Sequence, residues 1–499
     1  MVSDDVICAF ATAEGLAALA VLRISGAGSA NLADKIFRFG PIKSELREAK
    51  ADSALKKRKV VCLKGYQAAY GHVVDPLTGE IVDEVVLTRF KAPRSYTGEE
   101  MVEISCHGGA ISKMKLLTAC LRAGSRMATA GEFSKRAFLN GKFSLIEAEG
   151  LADLLNAEAE EAQTLALQQL SGELGYKFKQ VRDLLLEFAA KCEMGIEYPE
   201  YPEHDIEQVE YLSRLKAIKD LLSDLCAGYD QGRIIKEGIK IALLGAPNAG
   251  KSSLMNALVH EDKAIVTNIP GTTRDVLEAE VRYKGLLCQY CDTAGLRAGA
   301  DIVEQEGIKR SFKTALEADV VLWLISVLPR ENSANLATDS LIEHNLTQAI
   351  LPSTDLLAQF EAKGTQVYFV VSKSDLAEQA EIKAKIEDLY GEKYKVLSCS
   401  VLQANSLAFL QAQIYAYYLS LGKGKSQAVR VSSYRQYQGL YNISCIIDTL
   451  TADYGETIPP LDVLDQMLQA CIEEIELLTG EKADEAVLTT IFSKFCVGK

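Results

Sequence analysis

The sequence lacks the features of a membrane or secreted protein. Its longest apolar runs, such as Val320 to Leu328, are far shorter than the roughly 20 residues that a membrane-crossing helix needs. Asp4, Asp5 and Glu14 stand where a signal peptide would carry basic residues. The 12 cysteines do not have the spacing of a disulfide framework, which favours a reducing compartment. We therefore expect a cytoplasmic protein that does not enter a membrane.

The sequence also lacks an excess of basic residues. Its net charge is −14, so the protein as a whole will not attract nucleic acid by charge alone. It contains neither an internal repeat nor a low-complexity segment. The hydrophobic fraction of 48% is ordinary for a globular protein, and the length of 499 residues predicts about three domains.

A complete phosphate-binding loop is present at residues 245–252, which read GAPNAGKS and fit the pattern GxxxxGK[ST]. The apolar run from Ile239 to Leu244 predicts a strand before the loop, and the residues from Ser253 onward predict a helix after it. Backbone N–H groups of such a loop hold phosphate oxygens. Lys251 would reach the outer phosphates, and the Ser252 hydroxyl would bind Mg²⁺.

Further segments follow in the order expected of a GTP-binding domain. Residues 270–275, PGTTRD, contain threonines that can coordinate Mg²⁺. A strand-like run from Leu286 to Cys291 leads into Asp292-Thr293-Ala294-Gly295, where the aspartate would hold the metal through water and the glycine would approach the γ-phosphate.

The nucleotide base is expected to bind at Ser372-Lys373-Ser374-Asp375. This segment resembles the NKxD motif, which recognises guanine. Asp375 would accept hydrogen bonds from two N–H groups of guanine that adenine cannot match, so GTP is favoured over ATP. Ser372 replaces the usual asparagine, and we expect it to lose both a contact with the base and a brace to the phosphate loop. A further base-contact turn should begin at Ser398 or at Ser400.

The catalytic apparatus departs from that of Ras-like proteins. Leu296 stands where a glutamine would orient the attacking water, and a leucine cannot do this. Glu304 and Glu306 lie just downstream and are both candidates for that role. The residues themselves do not distinguish between the two.

The sequence predicts a multidomain fold. Alternating strand-like runs and glycine turns predict an α+β domain over 1–145. Apolar residues at helical spacing predict a helical bundle domain in two parts, 146–237 and 423–499. Between these parts, 238–422 is predicted to form an inserted Ras-like α/β domain with the phosphate loop.

Several motifs together resemble the MnmE/TrmE family of tRNA-modification GTPases, and the resemblance extends from end to end. They include Leu22 to Gly26, Tyr96 to Glu99, Cys106 to Gly109, the run from Gly131 to Lys142, and the terminal sequence Phe-Cys-Val-Gly-Lys. The phosphate loop and the segment from Asp292 to Arg297 match the same family in the same order.

The resemblance implies that the first domain binds folate and mediates dimerisation. At the matching positions, Arg23, Glu103 and Lys142 would contact 5-formyltetrahydrofolate or a related tetrahydrofolate, and Lys499 would reach it from the tail. Cys496 matches a tail cysteine that would take part in the chemistry. The protein would act as a homodimer with an FAD-containing partner subunit, in a heterotetramer. The complex would install aminomethyl or carboxymethylaminomethyl groups at C5 of the wobble uridine of certain tRNAs.

The same resemblance implies a K⁺ ion in place of an arginine finger. Asn248, Thr267, Ile269 and Thr272 match the residues that bind K⁺, whereas Ser252 and Thr273 match the ligands of Mg²⁺. Glu304, rather than Glu306, matches the glutamate that orients water, and Lys251 supports the chemistry at the phosphates. The residues expected around GTP and its ions are Asn248, Ala249, Gly250, Lys251, Ser252, Ser253, Thr267, Asn268, Ile269, Pro270, Gly271, Thr272, Thr273, Asp292, Thr293, Ala294, Gly295, Ser372, Lys373, Ser374 and Asp375.

Two other functions share some of these sequence features. A ribosome-assembly GTPase would need an RNA-binding appendage with a GXXG loop, and none follows Leu421. A folate-dependent one-carbon transferase with a regulatory nucleotide domain would act on a small molecule or a protein. Dependence on tRNA separates this last function from wobble-uridine modification.

Overall fold

The computed structural model describes residues 5–42, 58–157, 159–201, 206–261, 277–292, 313–326, 351–373, 379–391, 393–421, 430–455 and 457–499. The chain divides into two compact units. The first unit draws its residues from 1–155, 167–218 and 445–499, and the second from 156–166 and 219–444. This division splits the helical segments between the units, so the boundaries at 145, 237 and 422 stay predictions.

The first unit contains a seven-stranded sheet in the order β3-β4-β5-β6-β2-β1-β7. Its strands are β1 Ile7–Phe10, β2 Leu19–Ser25, β3 Phe37–Phe39, β4 Gln67–Val74, β5 Ile81–Phe90, β6 Met101–His107 and β7 Arg126–Met127. Neighbouring strands are antiparallel except β1 and β7. Two helices, α1 Ser29–Ile36 and α2 Ala110–Ala123, bury their apolar residues against one face of this sheet. The predicted α+β domain is therefore confirmed.

Further helices of the first unit carry apolar residues at helical spacing. They are α3 Glu132–Leu139, α4 Leu145–Asn156, α6 Glu173–Glu197, α14 Leu461–Thr479 and α15 Glu485–Phe492. The long helix α6 packs along α14, although the G-domain segment separates the two in sequence. Each buries one apolar face, which is rich in Leu and Phe in α6 and in Leu and Ile in α14. This pairing is the bundle that the sequence predicts for helices on either side of an insertion.

The second unit contains a six-stranded sheet in the order β13-β12-β11-β8-β10-β9. Its strands are β8 Ile239–Gly245, β9 Leu277–Tyr283, β10 Leu286–Asp292, β11 Val320–Ser326, β12 Gln366–Ser372 and β13 Lys395–Cys399. All neighbours are parallel except the edge pair β9 and β10. The helices assigned wholly to this unit are α8 Tyr229–Glu237, α9 Lys251–Glu261, α10 Thr354–Ala362, α11 Gln379–Tyr390 and α12 Ala404–Leu421. The Ras-like α/β prediction is confirmed.

The strand order places the phosphate loop. Strand β8 lies between β10 on one side and β11 on the other, so the direction in which the chain builds the sheet reverses at β8. In open parallel sheets, ligands bind beyond the carboxyl ends of the strands at such a reversal. The loop of residues 245–252 leaves the carboxyl end of β8 and therefore lies at the expected binding crevice.

Four of the described helices contain a point at which the chain passes from one unit to the other: α4 at its last residue, Asn156, α5 Glu160–Leu170, α7 Gln208–Cys226 and α13 Tyr434–Asp453. The sequence predicts one helical stretch from Val209 to Gln231, but the structure has α7 and α8 separated near Gly228. A Cβ atom at Gly228 would come within 3.0 Å of the Arg430 side chain, so the close approach of another segment accompanies this break. Among the described helices, none is long and apolar enough to cross a membrane.

Candidate functional site

The phosphate loop begins where β8 ends, at Gly245. This residue has φ of +140°, and a Cβ atom there would lie 2.4 Å from the carbonyl oxygen of Leu324. Asn248 and Gly250 also adopt positive φ, at 62° and 93°. Asparagine and glycine tolerate this backbone region better than other residues. The local sequence is therefore suited to the loop that the pattern predicts, and α9 begins directly after it at Lys251.

Lys251 is buried, and its charge is held inside the loop. Its Nζ donates hydrogen bonds to the carbonyl oxygens of Gly245 at 3.0 Å and Ala246 at 2.9 Å. A buried ammonium group needs such acceptors because removal from water is costly. The loop thus presents a fixed positive charge where anionic oxygens are expected.

Ser372 braces the phosphate loop, contrary to the expectation that a serine would lose this contact. Its Oγ donates to the carbonyl oxygen of Ala249 at 2.7 Å and also lies 3.3 Å from that of Ile325. A hydroxyl carries one proton, and the shorter distance favours Ala249 as its acceptor. The short side chain reaches the loop because β12 ends at Ser372, which is buried.

The turn after β13 begins at Ser400. Ser398 lies within the strand opposite Val371, whereas Ser400 follows the last strand residue. The Ser400 side chain is buried and its Oγ accepts from the backbone N–H of Leu402 at 3.2 Å. Of the two serines left open by the sequence, the geometry therefore selects Ser400 as the start of the turn.

Several expected nucleotide residues lie outside the described part of the chain, so the structure does not test them. They are Thr267, Asn268, Ile269, Pro270, Gly271, Thr272, Thr273, Thr293, Ala294, Gly295, Glu304, Ser374 and Asp375. The backbone of Asp292 is described as the end of β10, in register with Leu243 of β8. Among the described residues, Lys251, Ser252 and Ser372 thus belong to adjacent parts of one site.

A second polar site lies on the sheet of the first unit. Arg23 on β2 is paired in register with Glu103 on the antiparallel strand β6. The Arg23 Nε donates to Glu103 Oε1 at 2.9 Å, and both side chains are largely buried. The expected folate residues Arg23 and Glu103 are therefore in direct contact.

The Arg23 guanidinium packs against two aromatic rings. Its central carbon lies 4.6 Å from the ring centre of Tyr96 and 5.6 Å from that of Phe133. The Tyr96 hydroxyl lies 2.7 Å from Ser134 Oγ, which fixes the tyrosine in turn. Cation–π contacts of this kind orient a guanidinium while leaving its N–H groups available. The sequence motif contained Tyr96, but contact with Arg23 could not be predicted across 73 residues.

The C-terminal tail docks beside this site. Val497 forms an antiparallel bridge with Ala130, and Arg23 Nη1 lies 3.4 Å from the carbonyl oxygen of Gly498. Gly498 has φ of +105°, and a Cβ atom there would lie 2.0 Å from the carbonyl oxygen of Phe10. Phe495 is buried among the residues of α4 and α15. The end of the chain is therefore packed in place, where physics alone would favour a frayed terminus.

The remaining residues expected at the folate site, Lys499, Cys496 and Lys142, lie in different surroundings. Lys499 is half-buried, and burial together with the charge of Arg23 lowers the pKa of its ammonium group. Cys496 is exposed, and its carbonyl oxygen accepts from the N–H of Lys499. Lys142 makes a separate contact, donating to the carbonyl oxygen of Pro93 at 3.1 Å. The structure thus joins Arg23, Glu103 and the tail, with Lys142 held by another segment.

The fold and the phosphate loop define a multidomain P-loop GTPase, and its C-terminal residues pack beside Arg23. A model of the MnmE helical domain matches residues 145–496, and a model of the GTP-binding protein TrmE N-terminus matches residues 6–142. The chain therefore belongs to the MnmE family of tRNA modification GTPases.

Individual relatives match over their whole length and are named tRNA modification GTPase MnmE. The protein of Bacillus licheniformis is 34% identical, with 99% of this chain and 100% of that protein covered. The protein of Bacillus subtilis is 33% identical, again with 99% of this chain and 100% of that protein covered. The protein of Thermoanaerobacter pseudethanolicus is 34% identical, with 99% of each chain covered. Among solved structures, the FeoB G domain of Methanococcus jannaschii covers 36% of this chain and 98% of its own, with 24% identity and a TM-score of 0.24.

Proposed function

We propose that this protein is a K⁺-dependent GTP hydrolase that modifies the wobble uridine of certain tRNAs. It acts with an FAD-containing partner subunit and forms aminomethyl or carboxymethylaminomethyl groups at C5 of the base. A tetrahydrofolate, such as 5-formyltetrahydrofolate, supplies the one-carbon unit. The protein is a homodimer within a heterotetramer, and its cytoplasmic location stays a prediction.

The docked tail is the observation that carries this proposal. A nucleotide switch by itself does not require a second site, and the docking of Val497 on Ala130 and of Gly498 beside the Arg23–Glu103 pair supports one here. The site combines a carboxylate, two cationic side chains and aromatic rings. Folate has matching groups: N–H donors on its pterin ring, a flat aromatic system and terminal carboxylates.

The residues fit a folate by their chemistry. Glu103 would accept hydrogen bonds from pterin N–H groups, as a carboxylate offers strong acceptors. Arg23 and Lys499 would bind anionic or carbonyl oxygens, and Lys142 would contact a more distant part of the ligand. When bound, the folate supplies the one-carbon unit. The exposed Cys496 would take part in the reaction near this site.

At the nucleotide site, Lys251 and Ser252 would bind the phosphates and Mg²⁺, with Thr273 as the second protein ligand of the metal. The segments Asp292–Gly295 and Ser372–Asp375 would bind the γ-phosphate and the guanine. Ras-like proteins orient the attacking water with a glutamine, and Leu296 stands at that position here. Glu304 would therefore orient the water instead.

The loop is also suited to K⁺ through Asn248. This side chain is exposed and forms no hydrogen bond with any described residue, so its amide oxygen is available as a ligand. Thr267, Ile269 and Thr272 would supply the other oxygens. When bound, the ion supplies the positive charge that an arginine finger gives other GTPases.

The test is mass spectrometry of tRNA nucleosides from cells lacking this protein. We expect the 5-substituted wobble uridines to disappear and to return with the wild-type gene. Lys251→Ala and Arg23→Ala should each fail to restore them, although they lie in different compact units. Unchanged nucleosides in the deletion strain would reject the proposal and favour a folate-dependent transferase that acts without tRNA.

A further inference from the structure

A cavity of about 720 Å³ opens within the first compact unit. It is lined by three segments: residues 138–147 from the end of α3 to the start of α4, residues 172–182 at the start of α6, and residues 479–481 at the end of α14. Its volume is in the range of small-molecule sites. None of the segments carries a nucleotide residue, and only Lys142 among the lining residues belongs to the expected folate site.

The cavity presents more available positive charge than negative charge. Its cationic residues are Lys142, Lys179 and Arg182, and its acidic residues are Glu147 and Glu481. Glu147 is engaged, because its Oε2 accepts from the backbone N–H of Ser144 at the start of α4. Glu481 is paired with Arg182 at 2.7 Å.

Lys179 is the cation of this cavity that remains available. It is exposed and forms no ion pair with any residue in the described part of the chain. Lys142 is also exposed, and because its ammonium group has three donors it can contact an anion while one of them is held by the Pro93 carbonyl oxygen. Such charges bind carboxylates, although exposure to water limits the strength of each pair.

The segment Tyr96–Gly98 connects this cavity with the Arg23 site. Tyr96 packs against the Arg23 guanidinium, and a Cβ atom at Gly98 would lie 3.4 Å from Cδ of Lys142. Lys142 therefore lies beside the far end of the same short segment and also lines the cavity. A ligand whose head is held at Arg23 and Glu103 could extend past Lys142 into the cavity.

We propose that this cavity binds the poly-γ-glutamate tail of a reduced folate. Folates in cells carry chains of γ-linked glutamates, and each added glutamate brings one free α-carboxylate. The inference rests on the folate part of the proposed function and adds that the folate is bound in its polyglutamylated form. An RNA backbone fits less well, because it needs an extended basic surface, whereas this is a pocket with acidic residues in its lining.

The test compares the binding of 5-formyltetrahydrofolate with one glutamate and with three, by equilibrium dialysis against the full-length protein. The triglutamate should bind about fivefold more tightly, as one or two partly exposed ion pairs provide. Lys179→Gln should remove most of this gain and leave the affinity for the monoglutamate unchanged. Glu481→Gln should increase the gain slightly, because it removes the nearer of the two carboxylates that pair with Arg182 and leaves Glu476 at 3.6 Å. Lys216→Gln, a matched change at an exposed lysine of α7 outside the cavity, should alter neither affinity.

The outcomes separate the inference from the proposed function. Equal affinities for both forms would overturn the inference while keeping the folate site. No binding of either form would overturn the folate part of the proposed function and the inference with it. If Lys179→Gln weakened tRNA binding and left the triglutamate gain intact, the cavity would be an RNA contact and the inference would be wrong.

Discussion

Ser372 illustrates how a single residue can depart from a motif and still keep one of its roles. The sequence alone predicted a lost brace, because serine is shorter than the usual asparagine. In the structure the Ser372 hydroxyl nevertheless reaches the Ala249 carbonyl oxygen at 2.7 Å. The Ser372 side chain can reach the loop because the end of β12 lies close to it, and this closeness is set by the folded sheet.

Replacing Ser372 with alanine should weaken GTP binding about fivefold, since one lost hydrogen bond costs about 1 kcal/mol. The preference for GTP over ATP should not change, because Asp375 rather than Ser372 is expected to read the base. Titration with fluorescent GTP and ATP analogues measures both quantities. Ser398→Ala is the control, as its hydroxyl forms no hydrogen bond with a described residue. Equal GTP affinity in Ser372→Ala and the wild type would show that the brace is unimportant.

His107 is a single residue whose pKa depends mainly on one neighbouring carboxylate, that of Asp83. Its Nδ1 lies 2.7 Å from Asp83 Oδ1, and its backbone N–H donates to Asp83 Oδ2 at 2.9 Å. The hydrogen bond and charge of Asp83 raise the pKa of the His107 imidazole. A pKa raised by folding stabilises the protein below the ordinary histidine pKa, and this contribution is lost as the pH rises through the raised pKa.

Asp83→Asn should therefore lower the pKa of His107 and destabilise the protein more at pH 5.5 than at pH 9. NMR titration of the ring protons gives the first quantity, and thermal unfolding at the two pH values gives the second. The chain has only 5 histidines, so the signal can be assigned by substitution. Asp183→Asn, a change on the exposed side of α6, should leave the titration midpoint unchanged. An unaltered midpoint in Asp83→Asn would contradict the assignment.

At the scale of elements, local sequence patterns predicted the strands well. The strands β8 and β10 each appear within one or two residues of the predicted run, because buried parallel strands have largely continuous apolar sequences. The break between α7 and α8 was missed. At this break the Arg430 side chain lies close to Gly228, although the two residues are far apart in sequence.

The docked tail is an element whose position depends on one glycine. Gly498 combines φ of +105° with a close approach to the Phe10 carbonyl oxygen. A side chain at this position is strained by about 1–2 kcal/mol from its backbone conformation alone, before the steric clash is counted.

Gly498→Ala should therefore undock the tail and lower tRNA modification at least about tenfold, while GTP hydrolysis stays near the wild-type rate. Nucleoside mass spectrometry and a phosphate-release assay measure the two activities. Val497→Ala, at a half-exposed position beside it, should retain both. Full modification by Gly498→Ala would exclude a role for the docked conformation.

At the scale of the whole molecule, two chemically different sites occur in two compact units. The phosphate loop lies in the second unit, and the Arg23–Glu103 site lies in the first. Each unit draws its residues from separate stretches of the chain. This organisation predicts that the GTPase reaction and folate binding can be impaired independently.

The GTPase reaction should depend on K⁺ through Asn248. Hydrolysis in K⁺ should exceed that in Na⁺ by at least about tenfold, because we propose that the ion replaces an arginine finger. Asn248→Ala should remove this stimulation and leave the slow rate in Na⁺ unaltered. Asn256→Ala, at an exposed position of α9, should remain fully stimulated. Equal rates of the wild type in the two salts would refute the role of K⁺.

The sequence by itself determined the phosphate loop, the strands around it and the order of the nucleotide motifs. These features depend on residues close together in the chain, so local chemistry is sufficient to recognise them. Only the tertiary structure decided that Gly498 contacts Arg23 across 475 residues and that the Tyr96 segment joins Arg23 to a cationic cavity. Such contacts follow from the pairing of β2 with β6 and the packing of α15, which no short stretch of sequence specifies.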